Sequence, residues 1–158
     1  MSVQPFMSTV MGSLDSKGRV CIPAPFRQYL ASQDTEGVYV CPSFFQPVLE
    51  GFGQTVVEAL HKRLATFDPF FSPQHDDEAH AVISRTVLLP ADEQGRVRIP
   101  DAMIEHAGLK DRVAFLGLSQ KFQIWDAERL AAIEHERLAR IREKFERERA
   151  RQSGEGTS

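Results

Sequence analysis

Two short segments of the chain have similar sequences and carry an arginine at the same position. Residues 15–23 read DSKGRVCIP and residues 92–100 read DEQGRVRIP, which agree at six of nine positions and lie 77 residues apart. In each segment an arginine, Arg19 or Arg96, directly follows a glycine. A guanidinium held at an exposed turn can donate hydrogen bonds to phosphates or to guanine edges in the major groove of DNA. The pattern therefore predicts a nucleic-acid contact at both segments.

The same segments specify a tight turn followed by a strand. An aspartate that opens a turn can accept hydrogen bonds from the backbone that follows it, and a glycine two or three residues later accepts a positive φ. The predicted turn-forming residues are Asp15 and Gly18 in the first copy and Asp92 and Gly95 in the second. After each turn, valine and isoleucine alternate with other residues at the period of a half-buried strand. A proline then ends the strand, in a position where a helix can begin.

Further basic residues flank these arginines. Lys17, at the tip of the first turn, is a candidate phosphate contact, although a lysine in such a place is ordinarily only solvated. Arg27 and Arg98 are candidates either for flanking phosphate contacts or for surface salt bridges. For Arg19 and Arg96 the alternative is structural, because an arginine that pairs with the turn aspartate would only stabilise the turn.

The overall charge does not by itself indicate a nucleic-acid partner, since the chain carries a formal net charge of -3. The distribution is more informative than the sum. From Asp15 to Arg27 three basic residues stand against one acidic residue, whereas from Asp92 to Asp101 two stand against three. We therefore expect the first copy to carry more of the electrostatic attraction.

Enzyme and metal chemistry find little support. The sequence has no GxxxxGK[ST] and no GxSxG, so it predicts no enzyme and no cofactor. His75 and His80 are five residues apart, off a common helical face, so they predict a solvated acidic linker rather than a metal site. Cys21 and Cys41 lack CxxC spacing and are expected to be buried free thiols. Several aromatic residues are expected to pack in a core or an interface rather than stack on bases: Trp125, Phe45, Phe52, Phe70 and Phe71.

No apolar stretch approaches the roughly 20 residues that a membrane-spanning helix needs, and no secretory signal pattern is present at the start. The sequence therefore predicts a cytoplasmic protein that does not interact with membranes.

The predicted fold class is α+β, with two tandem hairpin units interlocked into one compact body, connecting helices and a C-terminal amphipathic helix. The predicted segments are a first unit at residues 6–53, a helical connector at 54–83, a second unit at 84–127, a C-terminal helix at 128–151 and a disordered tail at 152–158. Inside the connector, apolar spacing predicts a helix over 55–67. Residues 68–77 are expected to be a linker, with a weakly indicated second helix around 77–84.

Local signals fix other boundaries. Short helices are predicted over 25–30 and 101–107, the second ended by Gly108 as a C-cap. Asp126 is a candidate N-cap for the C-terminal helix. Pro90 interrupts a predicted strand, which an edge position would explain. Alternation predicts three more strands, at residues 37–41, 112–116 and 122–125.

The doubled D-x-x-G-R-V-x-I-P, together with FQIWD at residues 122–126, resembles the MraZ family over roughly residues 6 to 150. The resemblance implies two swapped-hairpin units of the AbrB/SpoVT type and a homo-oligomer of several subunits in a ring. It also implies a nucleoid-associated transcriptional regulator that binds double-stranded DNA at direct repeats upstream of the division and cell-wall gene cluster. The family's DNA contacts correspond here to Lys17, Arg19 and Arg96, while Gln94 stands where a lysine is expected. An AbrB-like protein-interaction or antitoxin-type module, with the C-terminal helix docking a partner, is the alternative.

Overall fold

The structure is a computed structural model in which residues 3–155 are described. The chain divides into two units, Met1–Ala127 and Glu128–Ser158. The first unit contains both copies of the repeated segment, as expected for copies that interlock in one body. The described part of the second unit, up to Glu155, belongs to the C-terminal helix.

In the described part of the chain, eight strands form two antiparallel sheets. They are β1 (Thr9–Ser13), β2 (Arg19–Cys21), β3 (Val38–Pro42), β4 (Leu49–Phe52), β5 (Val87–Leu89), β6 (Arg96–Arg98), β7 (Arg112–Leu118) and β8 (Lys121–Asp126). The larger sheet has the order β1-β7-β8-β4-β3-β5, and β2 pairs with β6 in the smaller one. The predicted α+β class is confirmed.

The two copies exchange strands within the larger sheet. β1 of the first copy pairs with β7 of the second, and β5 of the second copy pairs with β3 of the first. The last strands of the two copies, β4 and β8, pair with each other at the centre of the sheet. Neither copy could complete this sheet alone, which is the interlocked arrangement that the swapped-hairpin prediction describes.

The core lies where the smaller sheet and the helices pack on the larger sheet. The inward side chains of β2 and β6, Val20 and Val97, are 1% exposed. The Phe6 ring packs edge to face on Phe26 at 5.1 Å and on Phe122 at 4.9 Å between ring centroids. Such aromatic pairs add about 0.5–1.5 kcal/mol each beyond the area they bury. The core thus contains residues of both copies, and it holds the inner faces of β2 and β6 in place.

A short helix follows each proline that ends a motif. α1 (Ala24–Ser32) begins after Pro23, and a second short helix covers Asp101–Ala107 after Pro100. Gly108 ends the latter in a left-handed conformation with φ 59°, as the sequence predicted. Only two residues, an isoleucine and the proline, separate each strand from its helix.

The connector between the copies contains α2 (Gln54–Leu64), α3 (Pro73–Ala81) and a 3₁₀ turn at Ile83–Arg85. The second short helix described above is therefore α4 in chain order. The prediction of a linker over 68–77 was wrong from Pro73 onward, because a helix begins there. Ser72 caps it by accepting a hydrogen bond from the His75 backbone N–H at 3.3 Å, and proline suits the first helical position.

The C-terminal helix, α5 (Ala127–Glu155), begins directly after Asp126, as the predicted cap position requires. It extends four residues past the predicted end at residue 151, so 152–155 are helical rather than disordered. Residues 146–152 are Glu, Arg, Ala and Gln, which are good helix formers, and the helix propagates from them through Ser153 and Gly154, which are weaker ones. The rest of the predicted tail, 156–158, lies outside the described residues.

Pro90 follows β5, which is the edge strand of the larger sheet, so its missing N–H removes no ladder bond. Within residues 3–155, no helix is long and apolar enough to span a bilayer.

Candidate nucleic-acid interface

Both predicted turns form, and they have the same hydrogen bonds. Oδ1 of Asp15 accepts from the backbone N–H groups of Lys17 at 2.9 Å and Arg19 at 2.8 Å. Oδ1 of Asp92 accepts from the corresponding N–H groups, Gln94 and Arg96, both at 2.9 Å. A single carboxylate oxygen therefore holds the backbone of each turn on both sides of its glycine.

The glycines have the positive φ that the turn requires. Gly18 has φ 76° and Gly95 has φ 80°, and the N–H of each donates to the carbonyl of its turn aspartate. Residues with a Cβ rarely adopt this conformation.

The guanidiniums of the two turns bind back to the same aspartates. Nε of Arg19 donates to Oδ2 of Asp15 at 2.8 Å, and Nε of Arg96 donates to Oδ2 of Asp92 at 2.8 Å. The pKa of each aspartate is lowered, first by the backbone N–H of its arginine and then by the guanidinium. The Asp–Arg bond that a purely structural role of these arginines would require is thus present in both turns. It occupies Nε, and a guanidinium has four further N–H donors on Nη1 and Nη2.

The two turns meet on one two-stranded ribbon. In the register of β2 and β6, Arg19 lies opposite Arg98, and Cys21 lies opposite Arg96. The backbone extends the pairing into both turns, because Ile99 N–H donates to the Gly18 carbonyl and Ile22 N–H donates to that of Gly95. Alternate residues of a strand point to opposite faces. Since Val20 and Val97 face the core, these four side chains share the outer face, which we call the ribbon face.

Three of the four side chains on the ribbon face are arginines. Arg98 is exposed and has no ion pair among residues 3–155, so the salt bridge proposed as its alternative does not form there. Lys17 is exposed at the tip of the first turn. Because Arg98 lies across from Arg19, a basic residue of the second copy adds to the charge of the first turn.

Arg27 lies away from the turn of its own copy. Its Nη1 donates to the carbonyls of Ile22 at 3.0 Å and Gln94 at 3.2 Å, and lies 3.4 Å from Sγ of Cys21. These partners are not carboxylates, so the surface salt bridge predicted as an alternative is not seen within the described residues. Arg27 instead joins the end of β2 to the tip of the second turn.

The sequence prediction for one cysteine was wrong. Cys41 is buried, but Cys21 is exposed on the ribbon face. The signal was available, because Val20 and Ile22 were both assigned to the inner side of the strand and the residue between them must then face outward. Burial raises the pKa of the Cys41 thiol, since the thiolate would be poorly solvated there.

The other sequence candidates lie elsewhere. His75 and His80 are on α3, not in a linker, and the described residues contain no group of three or more metal-ligating side chains. Trp125 and Phe52 are buried, as expected. Three of the aromatic residues expected to be packed are 87–90% exposed in the single chain: Phe45, Phe70 and Phe71.

Comparison with known proteins gives a consistent result. The family model described as "MraZ protein, putative antitoxin-like" matches residues 82–152. Relatives called "Transcriptional regulator MraZ" match over most of the chain. The protein from Xanthobacter autotrophicus is 40% identical over 138 residues, which are 87% of this chain and 87% of the relative.

Two further relatives of the same name agree. The protein from Azorhizobium caulinodans is 37% identical over 152 residues, 96% of this chain and 93% of its own length. The protein from Gluconacetobacter diazotrophicus is 42% identical over 124 residues, 77% of this chain and 78% of its own length.

Proposed function

The chain belongs to the MraZ family of transcriptional regulators, which are not enzymes, and on that premise we propose that it acts by binding double-stranded DNA through the ribbon face. One observation carries the proposal: the arginines of both turns, Arg19 and Arg96, lie on the same outer face of a two-stranded ribbon. The major groove of B-DNA admits such a ribbon, and bidentate arginine contacts to guanine are its commonest specific contact.

The geometry of the turns supports a role of the two arginines in contacting DNA more than a purely structural role. Each aspartate engages Nε of its arginine, which fixes the side chain and leaves the Nη1 group of both arginines, and Nη2 of Arg19, as outer donors, while Nη2 of Arg96 donates to the Gln94 side chain at 2.8 Å. A fixed guanidinium loses less side-chain freedom on binding than a mobile one. The Asp–Arg pair would therefore pre-organise the contact rather than compete with it.

We propose that the sites are direct repeats upstream of the division and cell-wall gene cluster, and that the protein works at the nucleoid. The test is fluorescence anisotropy with DNA from the region upstream of its own gene and with the same bases scrambled. Tighter binding to the upstream DNA, with affinity falling steeply as salt rises, is expected because phosphate contacts release counterions. Equal affinity for both DNAs would contradict sequence-specific binding.

We further propose that the protein works as a homo-oligomer, arranged as a ring. On α5, Leu138 is 53% exposed and Phe145 is 57% exposed in the single chain, on the same apolar stripe as Ile133 and Ile141. A second copy of the chain would cover this stripe. Several weakly binding ribbons in one assembly would also gain avidity on neighbouring repeats, by roughly 10²-fold or more.

Light scattering tests the oligomer directly. The wild type is expected to be larger than a monomer at micromolar concentration. The double variant with Leu138→Glu and Phe145→Glu should have a lower molar mass in solution, because its subunits should separate. Ala139→Glu adds a carboxylate to an exposed position off the stripe and is the matched control. A monomeric wild type would contradict the proposal.

The alternative of a protein-interaction or antitoxin-type module is favoured by the description of the matching family model. A partner docked on the apolar stripe of α5 would keep its affinity as salt rises, whereas a DNA complex would not.

A further inference from the structure

Each turn is covered by a side chain from the other copy. Arg27 and Ile104 are 77 residues apart, the same offset as the two turns, so they are equivalent positions on α1 and α4. A Cβ built on Gly18 would lie 3.3 Å from Cδ1 of Ile104, and one built on Gly95 would overlap Nη1 of Arg27. The first turn therefore has an apolar cover and the second has a cationic one.

The tips of the two turns also differ, but here the positive charge is on the first turn. The first turn has Lys17 at its tip, and the second has the neutral Gln94 at the same place. The Gln94 side chain accepts a hydrogen bond from Nη2 of Arg96 at 2.8 Å, so it turns toward its own arginine. The second tip thus lacks a positive charge of its own and carries the negative charge of Glu93, but the guanidinium of Arg27 is bonded to the Gln94 carbonyl at 3.2 Å.

We infer that Arg27 is a functional residue of the second turn, where it positions the tip and supplies the second positive charge that Lys17 supplies to the first. Nη1 holds the side chain in place by donating hydrogen bonds to the carbonyls of Ile22 and Gln94. Nε and Nη2 have no partner among residues 3–155 and remain as donors for a phosphate. The inference rests on the proposed DNA binding and gives each turn two positive charges from different residues, although Glu93 leaves the second turn with one more negative charge than the first.

The glycine of the second turn is part of this arrangement. Gly95 is buried under Arg27, so a side chain there would displace the guanidinium as well as strain the backbone. Position 95 therefore needs glycine for two independent reasons, whereas the methyl end of Ile104 can move aside at Gly18.

The test separates the charge of Arg27 from its bracing. Arg27→Gln removes the charge and leaves an N–H donor that ends two bonds short of Nη1, and Arg27→Lys keeps the charge. In DNA titrations at several salt concentrations, Arg27→Gln should make the slope of log affinity against log salt less steep by about one for each ribbon bound to the DNA, while Arg27→Lys keeps the slope. Adding Gln94→Lys to Arg27→Gln places a lysine at the second tip and should restore the slope. Ile104→Met, at the equivalent position over the first turn, should leave it unchanged.

The outcomes are distinct. A folded Arg27→Gln protein with the wild-type slope, or a double variant whose slope is not restored, would overturn the inference and leave Arg27 a structural brace. Thermal melts identify variants that are not folded, and a folded Arg27→Lys protein with a reduced slope would also overturn it. Failure of the wild type to bind DNA would instead refute the proposed function, so the two failures are distinguishable.

Discussion

Arg19 and Arg96 are diagonal neighbours across the β2–β6 ribbon, since Arg19 lies opposite Arg98 and Arg96 is two residues along β6. Residues related in this way lie about 7–8 Å apart, with their Cβ atoms somewhat closer. That distance is close to two base-pair steps of about 3.4 Å. The arginines of the two turns therefore form one basic surface, and both can reach neighbouring groups of a single groove.

The turn aspartates should give a defined pH dependence of stability. Hydrogen bonds from Arg19 and Arg96 lower the pKa of Asp15 and Asp92 below 3.8, the value for an unperturbed carboxyl. A carboxyl with a lowered pKa stabilises the fold above its unfolded-state pKa, and this contribution is lost as the pH falls through the folded-state pKa. Asp15→Asn with Asp92→Asn should therefore lower Tm at neutral pH.

The difference in Tm between the wild type and this double variant should shrink as the pH falls below about 4. Thermal melts followed by circular dichroism between about pH 7 and pH 2 measure it. A difference that stays constant over the whole range would show that charge on the aspartates does not stabilise the turns.

Alanine at the two turn glycines should have unequal effects. Both positions have a positive φ, which costs about 1–2 kcal/mol for a residue with a Cβ. At Gly95 the new Cβ also meets Cδ of Arg27 at 2.5 Å, whereas at Gly18 it meets Cδ1 of Ile104 at 3.3 Å. Urea denaturation should show a larger loss in the free energy of unfolding for Gly95→Ala than for Gly18→Ala. Equal losses would indicate that Arg27 is not held over the second turn.

Local signals in the sequence predicted the turns, the prolines that end the strands and the helix that ends at Gly108. These features depend on backbone preferences of single residues, which are the same in any tertiary context. The Asp–Arg bonds were foreseen as an alternative for the same reason, since the partners are only four residues apart.

Long-range features could not be predicted from the sequence in this way. Nothing local indicates that Arg27 bonds to Gln94, because the contact exists only once the two copies interlock. The helix weakly predicted around 77–84 begins earlier, at Pro73, because Ser72 followed by proline is a helix-start signal that lies among Pro, Phe and acidic residues typical of a linker. Cys21 is exposed although cysteine is generally buried, because the alternation of its strand places it on the outer face.

Cys21 offers a direct probe of the ribbon face. It is exposed opposite Arg96, while Cys41 is buried and serves as an internal reference. Bound DNA should slow alkylation of Cys21 by iodoacetamide, because the thiol would lie in the groove with the arginines. Mass spectrometry of the alkylated protein, with and without DNA, measures this protection.

Scrambled DNA at the same concentration is the control for this probe, and Cys21→Ser should remove the fast alkylation. Alkylation of Cys21 at an unchanged rate in a saturated complex would place the DNA on another surface.

Arg19→Ala and Arg96→Ala test most directly the central claim that the ribbon face binds DNA. Each should weaken binding by on the order of 1–3 kcal/mol per contact, or roughly 5- to 150-fold in Kd. Arg63→Ala is the matched control, because Arg63 also pairs with a carboxylate, Nη2 to Oε1 of Glu78 at 2.8 Å, away from the ribbon. It should leave Kd unchanged.

The deciding measurement is Kd for the upstream DNA by fluorescence anisotropy, made beside a thermal melt on the same samples. A large rise in Kd for Arg19→Ala and Arg96→Ala, with Tm close to that of the Arg63→Ala protein, is the predicted result. A fall in Tm with Kd retained would contradict the claim and show that the two arginines only stabilise their turns.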